Sequence, residues 1–221
     1  MMARLPLALV VFGLLTGTLS SSAAARPDLS TPKSAALAFA RALETGDEET
    51  VRATSTASAD ADYAKMRNVS AVYMALARFH EAAAARYGAA AAAPVAAQAC
   101  SFSTNVAAGT PNEDGDSAYL TLANAAAGEP PLILARTGGA WRVDTHRLFL
   151  NVTFAMTVAQ GGRIARNLDA TTQEVAAGRY ATMAEAELAF RMRSNPDAAR
   201  PTTVPDAETR PKPRMRRIPG K

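Results

Sequence analysis

The chain has 221 residues, of which 48% are hydrophobic, and a formal net charge of +4. Its single cysteine, Cys100, excludes an intramolecular disulfide, so packing alone must stabilise the fold. Residues 26–193 contain 16 Lys/Arg and 17 Asp/Glu, whereas residues 194–221 contain seven Lys/Arg and three Asp/Glu. The nearly neutral main segment excludes the electrostatic argument for nucleic-acid binding by the domain, and no nucleic acid is expected as a partner.

The first 25 residues predict a cleavable secretory signal peptide. Arg4 supplies a short positive segment, residues 5–19 are apolar and uncharged, and Ala23 to Ala25 form a small-residue cleavage site. The apolar stretch is shorter than the ~20 residues of a membrane span, which favours cleavage near Ala25 over a retained anchor. The sequence therefore predicts an exported protein, periplasmic or extracellular.

Two helices are predicted after the signal. The Ser-Thr-Pro segment at 30–32 provides a hydroxyl to cap free N–H groups and a proline for the first helical position. Apolar residues at helical spacing extend this helix over residues 32–45, and Gly46 is its expected C-terminal cap. Asp47 is then the expected N-cap of a short helix over residues 48–54.

The strongest helical periodicity lies in residues 61–87. Apolar or amphipathic side chains recur there every three or four residues, at Met66, Val69, Tyr73, Leu76, His80, Ala83 and Tyr87. The alanine-rich segment after Gly88 is interpreted as a connector, and any helix in it is expected to end before Pro94.

Short apolar runs separated by turn signals then predict strands. We place them at residues 98–107, 116–124, 131–136 and 140–146. Segment 109–115, rich in Gly, Pro, Asn and Asp, is the expected loop between the first two strands, and Gly138-Gly139 forms the last hairpin. Short connections imply antiparallel pairing. Cys100 is expected to be a small buried side chain at the start of the first strand.

Helical patterning returns over residues 152–177, although the Gly-Gly pair at 161–162 weakens it by about 1 kcal/mol per glycine relative to alanine. Thr182 and Glu185 form a capping-box pair that starts a last helix. Residues 194–221 contain six prolines and few apolar residues, which predicts a disordered basic tail.

This order of elements predicts an α+β fold, because runs of helices and strands replace the alternation of an α/β protein. N-terminal helices, a curved antiparallel sheet of about four strands and C-terminal helices packed on it are expected. The predicted organisation is a signal peptide at 1–25, an α+β domain at 26–147, helices of the same domain at 148–193 and a tail at 194–221.

Two short segments carry a family resemblance: ALAFARALETGD at residues 36–47 and GAWRVD at residues 139–144. They resemble the cone-shaped α+β superfamily that includes nuclear transport factor, ketosteroid isomerase and SnoaL-like domains, and more narrowly exported bacterial proteins of unknown function. The resemblance covers about residues 32–147 and implies a cone-like domain. It implies no single activity, because the superfamily contains isomerases, dehydratases, ligand binders and interaction modules. The helices predicted after the sheet depart from its usual pattern and are expected to cover the cone or form a homodimer contact.

Asp144 and His146 are the candidate catalytic residues. A carboxylate that orients an imidazole is a common arrangement in general acid–base catalysis. Residues two apart on a strand have side chains on the same face. The same period puts Trp141 and Val143 on the opposite face, where they are expected to pack on the helices. The favoured interpretation therefore leaves Asp144 and His146 on a solvated face, outside any cone interior.

The other candidates predict no cofactor or metal. His80 lies on the apolar stripe of the long helix and is expected to be a core or boundary residue. Two histidines and one cysteine without close spacing do not support a zinc site. The pairs at residues 60 and 62 and at 114 and 116 offer carboxylates, but neither fits a calcium loop, and they are interpreted as turn and cap residues. No phosphate loop, dinucleotide fingerprint or nucleophile elbow is present.

These observations favour an exported, non-enzymatic binding or structural module of the cell envelope. Its expected partner is a small hydrophobic ligand or an envelope protein, and the basic tail is a candidate contact for anionic envelope polymer or lipid. The alternative is a small pocket enzyme of the isomerase, dehydratase or hydrolase type that uses Asp144 and His146.

Overall fold

A computed structural model describes residues 26–125 and 128–195. It confirms the predicted α+β fold, with helices before and after a four-stranded antiparallel sheet. The helices are α1 (Pro32–Thr45), α2 (Glu48–Thr54), α3 (Asp60–Tyr87), α4 (Ala89–Ala99), α5 (Ser101–Ala108), α6 (Thr145–Leu150), α7 (Val152–Ala176) and α8 (Met183–Ser194). The strands are β1 (Thr110–Asp114), β2 (Ser117–Thr121), β3 (Leu132–Thr137) and β4 (Ala140–Val143). The predicted signal peptide and nearly all of the predicted tail lie outside the described residues.

The first two helices form as predicted because their ends are capped locally. The Thr31 hydroxyl accepts the Ser34 backbone N–H at 3.1 Å, and Gly46 ends α1 with a left-handed φ of +74°. Asp47 Oδ1 accepts the Thr50 N–H at 3.0 Å and starts α2. Both helix boundaries match the sequence-based ones.

The sheet runs in the order β1-β2-β3-β4, with every neighbouring pair antiparallel. Register places Ala118, Leu134 and Val143 in one row across three strands, and all three are fully buried. Trp141 lies on the same face of β4 and is 2% exposed. This buried face packs in one cluster with α1, which contributes Phe39, so the expected packing of β4 on a helix is confirmed.

The predicted strand at residues 98–107 is wrong, because this segment belongs to the end of α4 and to α5. Phe102 and Val106, four residues apart, face the α1 core, and the Phe102 ring meets Phe39 edge-on at 6.4 Å. The Glu44 carboxylate on α1 accepts the Ser103 backbone N–H at 2.8 Å, which satisfies one free donor in the first turn of α5. This capping group lies 59 residues away in the sequence, so local patterning could not reveal it.

The segment predicted as a loop at 109–115 contains strand β1 instead. Four of the five residues of β1 are exposed, so the strand has no buried face and no alternation of apolar and polar residues. Its proline, Pro111, is accommodated because β1 is at the edge of the sheet. The polar, proline-containing sequence of this edge strand is therefore typical of a loop.

The alanine-rich connector is also helical, since α4 continues through Pro94. Alanine has the highest helix propensity, and Ala92, Val95 and Ala99 bury one face of the helix. That packing offsets the backbone hydrogen bond that proline cannot donate. Cys100 lies between α4 and α5 and is exposed, so its predicted burial at a strand start is wrong.

A second core lies between α3, α4, α7 and α8, and α3 contributes to both cores. Helices α3 and α7 run in the same direction, because their contacts advance together along both. Asn68 Nδ2 donates to the Val158 carbonyl oxygen at 3.3 Å, and Arg78 Nη2 contacts Asp169 Oδ1 at 2.8 Å. The C-terminal helices, which follow the sheet in the chain, thus pack along α3.

Gly161 lies at the closest part of this helix pair. A Cβ built on Gly161 would overlap the main-chain carbonyl of Asn68, whereas one on Gly162 would meet nothing nearer than an Arg166 side-chain nitrogen at 3.5 Å. The Gly-Gly pair that weakens α7 locally therefore includes one residue whose small size permits the approach of α3.

We expect Gly161→Ala to lower the free energy of unfolding by about 1–3 kcal/mol, because the added methyl pushes two helix backbones apart. Gly162→Ala is the matched control and is expected to be neutral or to stabilise by up to about 1 kcal/mol through helix propensity. Urea denaturation of both variants measures the difference. Equal effects of the two substitutions would contradict this account of the helix contact.

Candidate functional site

A cavity of about 390 Å³ lies where α3, α5, β3 and the start of α7 meet. Ten of its 16 lining residues are apolar, which makes its wall predominantly hydrophobic. The apolar wall includes Val69, Phe102, Leu122, Leu132, Leu148 and Phe154. The cavity therefore offers a surface suited to the apolar part of a small molecule.

The wall is held in place by residues that also belong to the core. Val69 on α3 is 1% exposed and Leu132 on β3 is 5% exposed, so neither side chain is free to move into the cavity. Leu148 is held by α6, which starts where Asp144 Oδ1 accepts the Arg147 N–H at 3.1 Å. The opposite wall begins where Asn151 Oδ1 accepts the Phe154 N–H at 3.0 Å and caps α7.

Tyr73 gives the cavity a polar group on the α3 side. Burial, with a smaller contribution from the Glu44 carboxylate, raises the pKa of Tyr73 to about 12, and the Ser101 hydroxyl partly opposes this rise. The phenol therefore stays protonated at neutral pH. It offers a hydrogen-bond donor or acceptor to a ligand, and no negative charge.

Two lining residues are charged at neutral pH, Glu129 in the β2–β3 connection and Arg147 on α6. Arg147 is exposed, and its side chain makes no hydrogen bond or ion pair with any residue in the described parts of the chain. Glu129 does have an interaction of its own. A cation that has no ion-pair partner among the described residues therefore borders an apolar cavity.

The mouth of the cavity continues into exposed apolar side chains at the α6–α7 junction. Leu150 lines the cavity and is 65% exposed, and Val152 and Met156 are exposed nearby in sequence. The rings of Phe149 and Phe154 lie 5.9 Å apart at the same junction. An apolar approach to the cavity is thus present on the surface.

A second cavity of about 270 Å³ lies between α2 and α3 and differs in its charges. Its rim cation, Arg67, is bound to Glu48, with Nη1 and Oε1 3.1 Å apart. Glu48 also binds Arg52 at 2.6 Å, and these two cations hold the pKa of Glu48 below its usual value. The charged side chains that line this second cavity, Glu48 and Arg67, are therefore paired with each other.

The predicted pair Asp144 and His146 does not line either of these cavities. The predicted strand at 140–146 ends at Val143, so the argument that both side chains share a strand face is wrong. Asp144 is instead the N-cap of α6, and His146 is an exposed residue in its first turn. The strand ends early because an Asp side chain that caps a following helix competes with continued pairing.

The remaining candidates are also separated from one another in the structure. His80 is half-buried on α3, Asp62 pairs with Lys65 at 2.9 Å, and Asp114 ends the edge strand β1. Within residues 26–125 and 128–195, no three His, Cys, Asp or Glu side chains come together as metal ligands. The described residues thus offer no preformed metal centre.

Sequence reasoning did not identify Arg147 or Tyr73 as site residues. The helical spacing predicts Tyr73 as a core residue, whereas the structure leaves it half-buried in the wall of the cavity. Arg147 was assigned to no element. The signal for its position is the Asp144 N-cap, which places residue 147 one helical turn further on.

Comparison of the chain with family models, curated proteins and solved structures yields no match. The resemblance to the cone-shaped superfamily therefore stays a prediction from two short sequence segments. Among the helices that the structure describes, none combines the length and the apolar character that crossing a membrane requires.

The capping role of Asp144 predicts a specific pattern of stability changes. Asp144→Ala is expected to lower the free energy of unfolding by about 1 kcal/mol, whereas Asp144→Asn retains most of the cap because asparagine also accepts the N–H bond. The exposed His146→Ala variant is expected to change stability by less than about 0.5 kcal/mol. Thermal unfolding of the three variants checks this pattern, and a large effect of His146→Ala would refute it.

The raised pKa of Tyr73 predicts a loss of stability at alkaline pH. The unfolded chain ionises near pH 10 and the folded phenol near 12, so this contribution is constant below pH 10 and falls between pH 10 and 12. At pH 11 the expected loss is about 1.4 kcal/mol relative to pH 8. Tyr73→Phe should lack this part of the decline in urea denaturation. An identical pH dependence in both proteins would rule out a folded-state shift at Tyr73.

Proposed function

We propose that the protein is an exported, non-enzymatic binding module of the cell envelope that holds a small hydrophobic ligand. The observation that carries this proposal is the 390 Å³ cavity, whose apolar wall is fixed by core side chains. Small-molecule sites in proteins are commonly concave, apolar and preformed, with a few polar groups for orientation. Tyr73 and Arg147 are such groups here.

The enzyme alternative lacks a comparable observation. General acid–base catalysis needs groups within hydrogen-bond reach of the reacting atoms. Asp144 and His146 lie outside the cavity, and Tyr73 inside it holds its proton at neutral pH. The predicted acid–base pair, Asp144 and His146, thus does not line the cavity.

A small ligand is favoured over an envelope protein as the principal partner by the volume of the site. Pockets for small molecules span about 300–1,000 Å³, and the cavity lies at the lower end of this range. A protein partner would need a surface of about 800 Å² on each side. The exposed large apolar residues near the cavity are Leu150, Val152 and Met156.

Filling the cavity is expected to weaken the binding of a hydrophobic probe. Thr157 lines the cavity on α7, and its hydroxyl donates to the Thr153 carbonyl oxygen within the same helix. Thr157→Trp should therefore weaken the binding of Nile red, a neutral dye, by at least about tenfold, because the indole occupies the ligand volume. Fluorescence titration of the mature protein gives the dissociation constants.

Thr172→Trp is the matched control. Thr172 lies on the same helix, makes the same type of bond to the Leu168 carbonyl and lines none of the cavities described above. It should leave dye affinity unchanged. Absence of saturable dye binding by the wild-type protein, or equal weakening by both variants, would refute the proposed site.

A further inference from the structure

The cation that lines the cavity, Arg147, is one of 14 arginines in the described residues, six of which form ion pairs. Arg52, Arg67, Arg78, Arg179, Arg191 and Arg193 each form an ion pair with Asp or Glu. The Arg147 guanidinium has no such partner in the parts of the chain that the structure describes. Its backbone N–H is used in the cap of α6, so the residue is anchored while its side chain stays available.

The surroundings of Arg147 combine a charge with an apolar surface. Leu148 and Leu150 on the same short helix line the cavity, and Leu132 lies opposite on β3. The other charged lining residue, Glu129, has an interaction of its own but keeps its negative charge, so only the part of the cavity next to Arg147 suits an anion. The group that would best complete this arrangement is an anion attached to an apolar body.

We propose that the ligand is an amphiphile whose anionic head group binds the Arg147 guanidinium while its apolar part fills the cavity. This inference rests on the proposed function and names the ligand class for the same site. Arginine suits the role because its planar fork presents parallel donors to carboxylate or phosphate oxygens. The apolar part would supply affinity by leaving water, and the charge would select and orient the ligand.

The geometry favours an anionic head over a neutral or cationic one. A cationic head at the mouth would face Arg147 at close range, and like charges repel. A neutral head would leave the guanidinium hydrated and gain little from it. Because Arg147 is exposed, its contribution is modest and corresponds to about fivefold in affinity for the anion over a neutral analogue.

The test uses three probes with the same twelve-carbon chain: dodecanoate, dodecanol and dodecyltrimethylammonium. Each competes with Nile red for the wild-type protein, below its micelle-forming concentration and at low salt. We expect dodecanoate to bind about fivefold more tightly than dodecanol, and the ammonium probe to bind most weakly. Inorganic phosphate alone should not displace the dye, which distinguishes an amphiphile from a free anion.

Variants then assign the preference to one residue. Arg147→Gln should remove the preference for dodecanoate over dodecanol, while Arg147→Lys retains part of it. Arg166→Gln is the control: Arg166 is an exposed arginine on α7, outside both cavities. It should behave as the wild type.

The outcomes separate this inference from the proposed function. If no probe and no dye binds, the proposed function fails. If the wild type binds dodecanol and dodecanoate equally well, the cavity does bind ligands, but the proposed preference for an anionic head group is refuted. If the preference survives in Arg147→Gln, or is lost equally in Arg166→Gln, Arg147 is not the group that recognises the anion. Displacement of the dye by phosphate alone would contradict the proposal that the ligand is an amphiphile.

Discussion

The close contact between α3 and α7 is the constraint on which the arrangement of the molecule depends. Gly161 permits it, because a side chain there would overlap the Asn68 main chain. From this point the two helices run in the same direction, and the Arg78–Asp169 ion pair at 2.8 Å joins them further along. The cavity lies beside this contact and is lined by Val69 and Tyr73 of α3 and by Phe154 and Thr157 of α7. A binding wall made of two distant segments is thus positioned by one glycine.

Elements with local signals were predictable from the sequence. The hydroxyl of Thr31, the αL glycine at Gly46 and the Asp47 cap specify α1 and α2 within a few residues, and the structure reproduces them. The buried alternation of β2 and β3 was recognisable for the same reason, since each strand contacts the core on one face only. The fold class followed from the order of these elements.

Elements that depend on distant partners were not predictable. Helix α5 obtains a cap from Glu44 on α1, and β1 is defined by pairing with β2 because its own residues bury nothing. The candidate site also combines features that the sequence predicts with features that depend on distant partners. Its apolar wall consists of residues already expected in the core, but no pattern indicates that Leu132 on β3 lies across from Leu148 on α6. A cavity is space between elements, and its position follows from tertiary packing.

Asp144 shows why a residue pair in a sequence is weak evidence for chemistry. Its carboxylate accepts the Arg147 N–H, so the residue that suggested a catalytic aspartate is used to start α6. The same bond positions the two neighbouring residues that line the cavity, Arg147 and Leu148. Loss of ligand binding after replacement of Asp144 would therefore have two explanations, a direct role of the carboxylate charge and a role in positioning α6. Asparagine separates them, because it keeps the cap and removes the charge: a variant that binds normally with Asn and poorly with Ala shows that Asp144 acts by building the helix that holds Arg147.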